Sequence, residues 1–341
     1  MLRMYDALPA YLGGKRKLVA RIFRHLPCPA EAPVFADAFL GGGSVSMYAK
    51  ARGYSVRCND IAERSVIIGK ALIDNSQVTL SEHDVMRLFV PHPEAGTFAR
   101  DHMAPDVVTP SHAAFLDNAM AWARATEGPK GQLYLLLCVR YLLSQRPMGN
   151  FGAKTIVHQM AEGEYDEVNP AYLKDCVQRM VLQHPLKVAK KLARKGNLGV
   201  FANGLEHETW HGDALDFCRN VRADIVFWDS PYAGTSSYER EMRPLDEMLA
   251  GHTIEPVKSR FSKADSLQFL EELFVAAEHI PVWAMSYGGP AIDAETLQQM
   301  MGKYRRDVKV EAHKYAHLAA LASAESKKKN VELILIGKGQ P

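Results

Sequence analysis

A glycine-rich turn near the N-terminus constrains what this chain can fold into more than any other feature. The mostly apolar residues 34–37 are followed by Gly41-Gly42-Gly43 and then by a predicted helix, residues 44–52. A strand, a tight turn and a helix in this order let a nucleoside ligand approach the backbone at the helix N-terminus. A second predicted strand, residues 54–60, ends in an acid, which at that place commonly binds ribose hydroxyls. The pattern predicts a Rossmann-like α/β domain with a nucleoside cofactor.

A glycine pair closer to the N-terminus gives a weaker indication of the same kind. Gly13-Gly14-Lys15 precedes a predicted helix, residues 18–25, so its backbone can approach a ligand. The same residues are also typical of an ordinary helix entry. Ser46 stands where the dinucleotide motif G-x-G-x-x-G has its third glycine. This difference argues against a NAD-dependent dehydrogenase, and nothing in the chain resembles a hydride-transfer site.

Acidic residues also follow two predicted strands in the last third of the chain. Residues 208–211 lead into Gly212-Asp213, whose carboxylate could accept a hydrogen bond from an adenine amino group or cap the next helix. Residues 223–228 are mostly apolar and lead into Asp229-Ser230-Pro231-Tyr232. Ligands of open α/β sheets bind at the carboxyl ends of the strands, so these acids are predicted to line a binding site.

The C-terminal part predicts one edge of the sheet. Residues 307–314 and 331–336 are two predicted strands without a long helical crossover, which indicates an antiparallel pair. The polar segment 233–262 carries charges of both signs and is predicted to be a mobile loop. His313 and His317 have i, i+4 spacing, but no third ligand is near them in sequence, so no metal site is expected.

The middle of the chain, residues 84–207, lacks the strand-turn-helix rhythm and is predicted to be mostly helical. Two basic features occur there, a glycine- and amide-rich loop within 140–154 and one face of a predicted helix within 187–195. Both suit contacts with phosphates and base edges, and both are equally typical of a solvated surface. The candidates for nucleic-acid contact are Arg140, Arg146, Asn150, Lys154, Lys187, Lys190, Lys191 and Arg194.

Composition narrows the class of protein. The chain is 47% hydrophobic with a net charge of +2, which suits a globular protein whose anionic partners must be bound by local clusters of charge. Five scattered cysteines predict free thiols in a reducing cytosol. The apolar run 133–139 is far too short to span a bilayer. A cytoplasmic protein is therefore expected.

Taken in order, five motifs resemble those of the Dam-type (alpha group) N6-adenine-specific DNA methyltransferases. Residues 11–18 are similar to the family's aromatic-x-Gly-Gly-Lys motif, and residues 37–43 to its acid-Pro-Phe-x-Gly-x-Gly motif. Asn59-Asp60-Ile61 looks like its Asn-Asp-Ile, and Gly212-Asp213 takes the place of its adenine-binding acid. Asp229-Ser230-Pro231-Tyr232 resembles its catalytic D-P-P-Y.

The chain departs from the family's pattern at a few places. Ala38 replaces a proline in the second of these motifs, and Ser230 replaces one in the last. The family's Asn-Arg…Asn-Gly pattern is not cleanly present within 140–154. The departure at Ser230 bears most directly on function, because a relative that binds DNA but is catalytically impaired is a second hypothesis for the chain.

The resemblance implies a fold and a division into segments. The fold is a Rossmann-like S-adenosylmethionine-dependent methyltransferase sheet of the α/β class, with an antiparallel edge pair and an inserted, mostly helical target-recognition region. Residues 1–83 would form the cofactor-binding part of the catalytic domain and residues 84–207 the target-recognition region. Residues 208–341 would form the catalytic part of the same domain.

The resemblance also implies a reaction, the transfer of a methyl group from S-adenosylmethionine to N6 of a flipped-out adenine in double-stranded DNA, without a metal. Asp229 and the backbone carbonyl of residue 230 would accept hydrogen bonds from the target amine, and Tyr232 would stack on the base. The implied catalytic residues are Asp229, Ser230, Pro231 and Tyr232. The implied cofactor-binding residues are Tyr11, Gly13, Gly14, Lys15, Asp37, Phe39, Gly41, Gly43, Asp60 and Asp213.

Other acceptors and partners stay open at this point. The same chemistry on RNA, on a protein amide or on cytosine N4 shares a planar nitrogen acceptor, so the four-residue motif does not exclude it. A cognate restriction endonuclease is a partner that the resemblance allows, in a prokaryotic or phage-encoded setting.

Overall fold

The protein, for which we use a computed structural model, folds into two compact units. The helical unit consists of Met1–Ala10, Lys70–Phe201 and Tyr238–Val257, and the sheet unit of Tyr11–Gly69, Ala202–Ser237 and Lys258–Pro341. The structure describes residues 2–9, 14–149, 151, 154–164, 166, 170–178, 180–232, 238–255, 266–289, 292–314 and 331–340.

The sheet unit is built on one mixed sheet. Its strands are β1 Val34–Asp37, β2 Ser55–Asp60, β3 Glu208–His211, β4 Ile225–Trp228, β5 Val282–Tyr287, β6 Asp307–Lys314 and β7 Val331–Lys338. In the described residues they pair in the order β3-β2-β1-β4-β5-β7-β6. The first five strands are parallel to one another, and β7 is antiparallel to both β5 and β6. The Rossmann-like fold with an antiparallel edge pair is therefore confirmed.

The helices follow the strands in the alternation that the sequence predicts. In chain order the α-helices are α1 Val19–Ile22, α2 Ser44–Arg52, α3 Glu63–Ile68, α4 Glu82–Arg87, α5 Phe98–His102, α6 Pro110–Ala125, α7 Gly128–Ser144, α8 Lys154–Glu162, α9 Pro170–Gln178, α10 Pro185–Asn197, α11 Ala214–Asn220, α12 Tyr238–Ala250, α13 Ser266–Ala276 and α14 Ala294–Gly302. Short 3-10 turns span Leu2–Ala7 and Pro147–Gly149, and a π-helical segment spans Gly69–Asp74.

Apolar strands hold the sheet unit together. All residues of β4 are buried, as expected for a parallel strand covered on both faces. The indole of Trp228 lies 5.2 Å from that of Trp283 on β5, and Phe274 of α13 stacks on Trp283 at 5.1 Å. Burial of such aromatic side chains contributes most of the favourable free energy of a core like this one.

The strand order reverses between β1 and β4, and this reversal fixes where a site can form. Asp37, the last residue of β1, pairs with Phe227 of β4, and the Ala38 amide donates to the Phe227 carbonyl at 3.0 Å. Asp229 comes directly after the last residue of β4, Trp228. In open α/β sheets the crevice at such a reversal is where ligands bind. The fold thus brings Asp37 and Asp229 to one edge of the sheet.

The helical unit is built around two long antiparallel neighbours, α6 and α7. Each has a proline at its N-terminus, where the missing amide hydrogen is not needed. Their apolar faces are buried, and α10 contributes Val188, Leu192 and Ala193 to the same core. The mostly helical structure predicted for the middle of the chain is confirmed for its described residues.

One sequence prediction about this part of the chain is wrong. The segment 233–262 was expected to be a loop, but α12 occupies Tyr238–Ala250. Its buried residues, Met242, Leu245 and Met248, recur every three positions and form one helical face. The many charges around them and Pro244 inside the helix obscure this spacing in the sequence. Residues 233–237 and 256–262 of the segment lie outside the described residues.

The compact units differ in their bounds from the predicted segments. Residues 70–83 belong to the helical unit and residues 202–207 to the sheet unit. The assignment of target recognition to the helical unit stays a prediction. No helix in the described part of the chain is both long and apolar enough to cross a membrane.

Candidate active site

Four side chains of the sheet unit meet beyond the carboxyl end of β4, and we call them the Lys15 cluster: Lys15, Asp229, Tyr232 and Glu332. The Lys15 Nζ lies 2.8 Å from Oδ1 of Asp229 and 3.3 Å from Oε1 of Glu332. It also donates to the Tyr232 hydroxyl at 2.9 Å. That hydroxyl lies 2.8 Å from Oε1 of Glu332 and 3.2 Å from Oδ1 of Asp229, and its single proton can be donated to one carboxylate at a time.

Burial makes the charges of the Lys15 cluster interdependent. Lys15 is 2% exposed and Glu332 is completely buried, whereas Asp229 is 21% exposed. Burial alone would lower the pKa of Lys15, but the carboxylates of Asp229 and Glu332 raise it above its ordinary value. Burial and the nearby Glu332 raise the pKa of Asp229, while Lys15 acts against this rise. Burial raises the pKa of Tyr232 well above its ordinary value, which keeps its hydroxyl protonated.

Strand β5 and the turn after it support this cluster. The Ser286 hydroxyl donates to the Glu332 carboxylate from the neighbouring strand. The rings of Tyr232 and Tyr287 lie 5.0 Å apart. A Cβ added at Gly289 would lie 2.8 Å from Cβ of Tyr232 and 2.9 Å from the Tyr287 hydroxyl, so this position requires a glycine. The Gly289 backbone therefore packs closely against Cβ of Tyr232 and restricts where that side chain can lie.

A second acid lies beside the cluster at the end of β1. Asp37 is buried, and its Oδ2 accepts a 2.7 Å hydrogen bond from the Ser46 hydroxyl of α2. Its Oδ1 has no hydrogen-bond partner among the described residues. Burial raises the pKa of Asp37 to about 7, and the charge of Asp229 contributes in the same direction. A buried carboxylate oxygen without a partner is ready to bind a cationic or hydrogen-bonding ligand.

The glycine-rich turn after β1 has the geometry that the sequence predicts. Gly41 and Gly43 have φ angles of 50° and 74°, in the left-handed region that favours glycine. The Gly41 amide donates to Oδ2 of Asp60 at 2.8 Å, and Oδ1 of Asp60 accepts from the Ala62 amide at 2.9 Å. Burial raises the pKa of Asp60, and these amide hydrogen bonds oppose the rise. Asp60 thus ties the turn to the end of β2.

Asn59 connects three strand ends at this edge of the sheet. Its side-chain amide donates to the carbonyl of Ala38 at 3.3 Å and to that of Gly212 at 3.1 Å. Its backbone carbonyl accepts from the Leu40 amide at 2.9 Å. The turns that follow β1, β2 and β3 are therefore held in one arrangement by a side chain to which the sequence analysis gave no role of its own.

The chain is similar to known proteins in two comparisons. Residues 11–99, which contain the glycine-rich turn, Asn59 and Asp60, match the family model of the D12 class N6 adenine-specific DNA methyltransferases. The chain is also 27% identical over 333 residues to the Type II methyltransferase M2.HphI of Haemophilus parahaemolyticus, with 96% of each protein covered. These two matches are consistent with the Dam-type family of N6-adenine DNA methyltransferases. The resemblance seen in the sequence is confirmed, and the protein is a DNA adenine methyltransferase.

The structure of this methyltransferase brings together most of the residues to which the resemblance gave a cofactor or catalytic role. Asp37, Gly41, Gly43 and Asp60 lie at the carboxyl ends of β1 and β2. Phe39, in the turn after β1, packs against the core of the sheet unit. Tyr11 and Gly13 lie outside the described residues, and Gly14 begins the described segment before Lys15.

Lys15 and Asp213, both predicted to bind the cofactor, contact other groups of the protein in this structure. Lys15 was expected to bind the cofactor, and the structure pairs it with Asp229 of the catalytic motif. Asp213 accepts from the Leu215 amide at 2.8 Å and caps α11. This capping role was the alternative that the sequence left open. The cofactor contacts of both residues stay predictions.

Ser230 of this methyltransferase has an unusual environment for a hydroxyl group. The residue is 2% exposed, and its Oγ has no hydrogen-bond partner among the described residues. A buried hydroxyl without a partner destabilises a fold by about 1–3 kcal/mol. Its backbone carbonyl is present in serine and in proline alike. The serine is therefore compatible with the role predicted for the backbone of residue 230.

We expect Ser230→Ala to stabilise the methyltransferase by about 1 kcal/mol, because it removes a buried hydroxyl that has no partner. The measurement is the urea midpoint of unfolding. The matched control is Ser286→Ala, which removes a buried hydroxyl that donates to Glu332 and should lower the midpoint. A loss of stability in Ser230→Ala equal to that in Ser286→Ala would show that the Ser230 hydroxyl is bonded after all.

The structure corrects two of the predicted DNA contacts. Arg140 lies in α7, is 6% exposed, and donates to the carbonyls of Leu192 and Asp6. Arg146 is also buried and donates to the Leu143 carbonyl. Both arginines stabilise the helical unit from inside, so neither presents its guanidinium to a DNA backbone in this structure.

The other predicted DNA contacts lie on the surface or outside the described residues. Lys187 and Arg194 are exposed on α10, opposite its buried face, and Lys191 is half-buried on the same helix. Lys190 forms an ion pair with Glu82, and Lys154 lies 3.2 Å from Asp106. Asn150 lies outside the described residues. The basic face of α10 is therefore the better-supported of the two candidate surfaces.

Sequence analysis missed Glu332, although the sequence contains a signal for it. Val331-Glu332-Leu333-Ile334-Leu335-Ile336 is an apolar strand with a single acid. A carboxylate is rarely buried unless it is paired, so an acid inside a run this apolar indicates a partner elsewhere in the fold. The partners, Lys15 and Tyr232, are far away in sequence, and the strand alone does not identify them.

Proposed function

We propose that this protein is a site-specific methyltransferase that moves the methyl group of S-adenosylmethionine to N6 of an adenine flipped out of double-stranded DNA. The observation that supports this most is the position of Asp229. Its carboxylate lies at the reversal point of the sheet and is the more exposed of the two carboxylates in the Lys15 cluster. An acceptor oriented at this place can bind an amino group that enters from outside.

The residues beside Asp229 suit a cationic nucleoside cofactor. S-adenosylmethionine carries a sulfonium and an ammonium group, and it supplies an electrophilic methyl group when bound. The Asp37 carboxylate, with its unpaired Oδ1, would hold the ammonium group. Asp60 would hold the ribose, and the glycine turn at Gly41 and Gly43 leaves room for close approach. Asp213 would contact the adenine of the cofactor.

Asp229 and the carbonyl of Ser230 would prepare the target amine. The exocyclic amine of adenine is a poor nucleophile, because its lone pair is conjugated with the ring. Two acceptors directed at its two hydrogens draw the nitrogen toward tetrahedral geometry and make the lone pair available. Pro231 favours an extended backbone at residue 230, which helps to orient that carbonyl. The contribution is that of fixed, preorganised acceptors.

Tyr232 would stack on the flipped adenine. Stacking of a base on an aromatic ring is worth about 1–3 kcal/mol, which offsets part of the few kcal/mol that extrusion from the duplex costs. The ring is held by Tyr287 and by the close packing at Gly289. A ring fixed in this way loses little conformational entropy when a base stacks on it.

Cofactor binding should depend on pH through Asp37. The raised pKa, about 7, means that the Asp37 carboxyl is protonated in the free protein below neutral pH. In the free protein this protonation stabilises the fold at low pH, and the stabilisation is lost as pH rises from about 4 to 7. A bound ammonium group favours the ionised form, so cofactor affinity should increase as pH rises toward 7 and level off above it.

Isothermal titration of S-adenosylmethionine between pH 5 and 8.5 measures this dependence. Asp37→Asn should bind about tenfold or more weakly at pH 8 and show little dependence on pH. Asp216→Asn, at an exposed acid of the same unit, is the matched control and should behave as the wild type. Equal pH dependence in Asp37→Asn and in the wild type would exclude Asp37 as the group that titrates.

The basic face of α10 would contact DNA phosphates. The logarithm of the DNA-binding constant falls linearly with the logarithm of the salt concentration. The steepness of this line should decrease by about one for each phosphate contact that is lost. We therefore expect the triple variant Lys187→Ala, Lys191→Ala, Arg194→Ala to reduce this slope by about two to three and to leave cofactor binding unchanged. The control is Lys303→Ala, an exposed lysine of the sheet unit. An unchanged slope in the triple variant would remove α10 from the DNA-binding surface.

Transfer of a tritiated methyl group from S-adenosylmethionine tests the proposed reaction directly. Duplex DNA should become labelled on adenine, and RNA, protein and cytosine N4 should not. Label on RNA, protein or cytosine N4 would mean that the proposed methyl transfer is right and that the proposed substrate is wrong. Folded protein that binds DNA and transfers no label to any acceptor would favour the second hypothesis, an impaired relative, for which Ser230 is the motivating residue.

The relative M2.HphI is named as a Type II methyltransferase, and this supports a setting for the reaction. We infer that the present enzyme modifies DNA within a restriction-modification system, in the cytoplasm of a prokaryotic or phage-infected cell. Its partner there would be an endonuclease that cuts the same recognition sequence when that sequence is unmethylated.

A further inference from the structure

The carboxylates of Asp229 and Glu332 both pair with Lys15 at the candidate active site, and they differ in their exposure to solvent. Asp229 is 21% exposed, whereas Glu332 is completely buried behind it on β7. Lys15 Nζ lies 2.8 Å from the first and 3.3 Å from the second. A substrate can therefore reach Asp229, and Glu332 is left facing Lys15, Tyr232 and Ser286.

The reaction proposed for Asp229 requires a change in this arrangement. Oδ1 of Asp229 is occupied by the Lys15 ammonium and is within reach of the Tyr232 hydroxyl. A substrate amine that binds either oxygen of Asp229 draws on the same negative charge, and so it weakens the interaction of that carboxylate with Lys15 and Tyr232. A buried ammonium that loses its carboxylate must find another, because an unpaired charge is strongly disfavoured in a site that excludes water.

We propose that Glu332 is a positioning residue. When Asp229 binds the target amine, the Glu332 carboxylate becomes the main ion-pair partner of the Lys15 ammonium and the hydrogen-bond acceptor for the Tyr232 hydroxyl. The inference rests on the proposed function of Asp229. The shift required is small, since Lys15 already lies within ion-pair distance of both carboxylates. The Tyr232 hydroxyl already lies closer to Glu332, at 2.8 Å, than to Asp229, at 3.2 Å. Glu332 thus lets Asp229 exchange partners without leaving Lys15 unpaired.

A purely structural role for Glu332 makes different predictions. In that case the carboxylate would only join β7 to β5 through the Ser286 hydroxyl. A neutral side chain of the same shape would then sustain the same rate of methylation, although the pKa of Lys15 would still fall when the charge is removed. The two roles are separated by the methylation rate and by its dependence on Lys15, which faces Asp229, Glu332 and Tyr232, with Asp37 close to Asp229.

Glu332→Gln, with and without Lys15→Met, tests the proposal. The glutamine keeps the shape and one acceptor oxygen and removes the charge. We expect the single-turnover rate of DNA methylation to fall about tenfold or more, with the Kd for S-adenosylmethionine within threefold of the wild type. In carbon-13 NMR of lysine Cε, the pKa of Lys15 should fall, because one of its two carboxylates is gone. Glu332→Asp, which keeps the charge, should restore part of that pKa.

The Lys15→Met background shows whether Glu332 acts through Lys15. There Glu332→Gln should cause no further loss of rate, and it should raise the thermal midpoint, because two buried carboxylates no longer face each other. An unchanged Lys15 pKa in Glu332→Gln would overturn the proposal, and so would an equal loss of rate in both backgrounds. The NMR titration needs no methylation, so its result stands apart from a failure of the proposed function, which would appear as a wild type that transfers no methyl group to DNA.

Discussion

Asp229→Ala is expected to abolish methyl transfer to DNA while leaving the protein folded and able to bind S-adenosylmethionine. The variant loses the carboxylate that accepts a hydrogen bond from the target amine, and removal of a single preorganised group of this kind typically lowers kcat by about 10²–10³-fold. The fold should survive, because Lys15 keeps Glu332 as its partner in the buried cluster. The measurements are the single-turnover rate with duplex DNA and the Kd for the cofactor.

The matched control for this prediction is Asp216→Ala. Asp216 is a well-exposed acid in the same unit that pairs with Arg219, three residues away on α11. It should change neither the rate nor the cofactor Kd. If Asp229→Ala methylates DNA at a rate near that of the wild type, the mechanism proposed here is wrong, even if the protein is confirmed as a methyltransferase.

Lys15→Met is expected to have the largest effect on stability. It leaves the carboxylates of Asp229 and Glu332 together in a buried site without the cation that separates them. Breaking a buried ion pair by removal of one partner costs about 3–5 kcal/mol. The loss should be largest near neutral pH. It should shrink as pH falls, because the facing carboxylates bind protons more readily in the folded protein than in the unfolded chain, and protonation then favours the fold.

Urea unfolding of Lys15→Met between pH 5 and 8 measures both the size and the pH dependence of this effect. Lys303→Met is the control, because Lys303 pairs with Glu271 at the surface, where an ion pair contributes about 0–1 kcal/mol. A similar, small loss of stability in the two variants would mean that Lys15 is not the charge that holds the two carboxylates together.

The sequence predicted the parts of the fold and site that depend on local pattern. Strand ends at Asp37, Asp60 and Asp229 follow from apolar runs that stop at an acid, and parallel pairing then brings those ends to one edge. The antiparallel pair β6 and β7 follows from the absence of a crossover between them. Each of these inferences needs only neighbouring residues and the general rules of sheet topology.

Residues whose role depends on distant partners were beyond such reasoning. Glu332 acquires its role from Tyr232 and Lys15, which the fold brings to it across most of the chain. Arg140 was predicted to contact DNA because it is basic, and composition does not show which face of α7 is buried. The α12 helix was missed because charged residues surround its apolar positions. Tertiary packing, and not local preference, decided each of these cases.

Single-molecule sequencing of DNA from cells that express this protein tests the central claim most directly. We expect N6-methyladenine at one recurring short sequence throughout the genome, and none in cells that express Asp229→Ala at the same level. Absence of modified adenine in cells that contain folded wild-type protein, or the same pattern of modification with Asp229→Ala, would contradict the account.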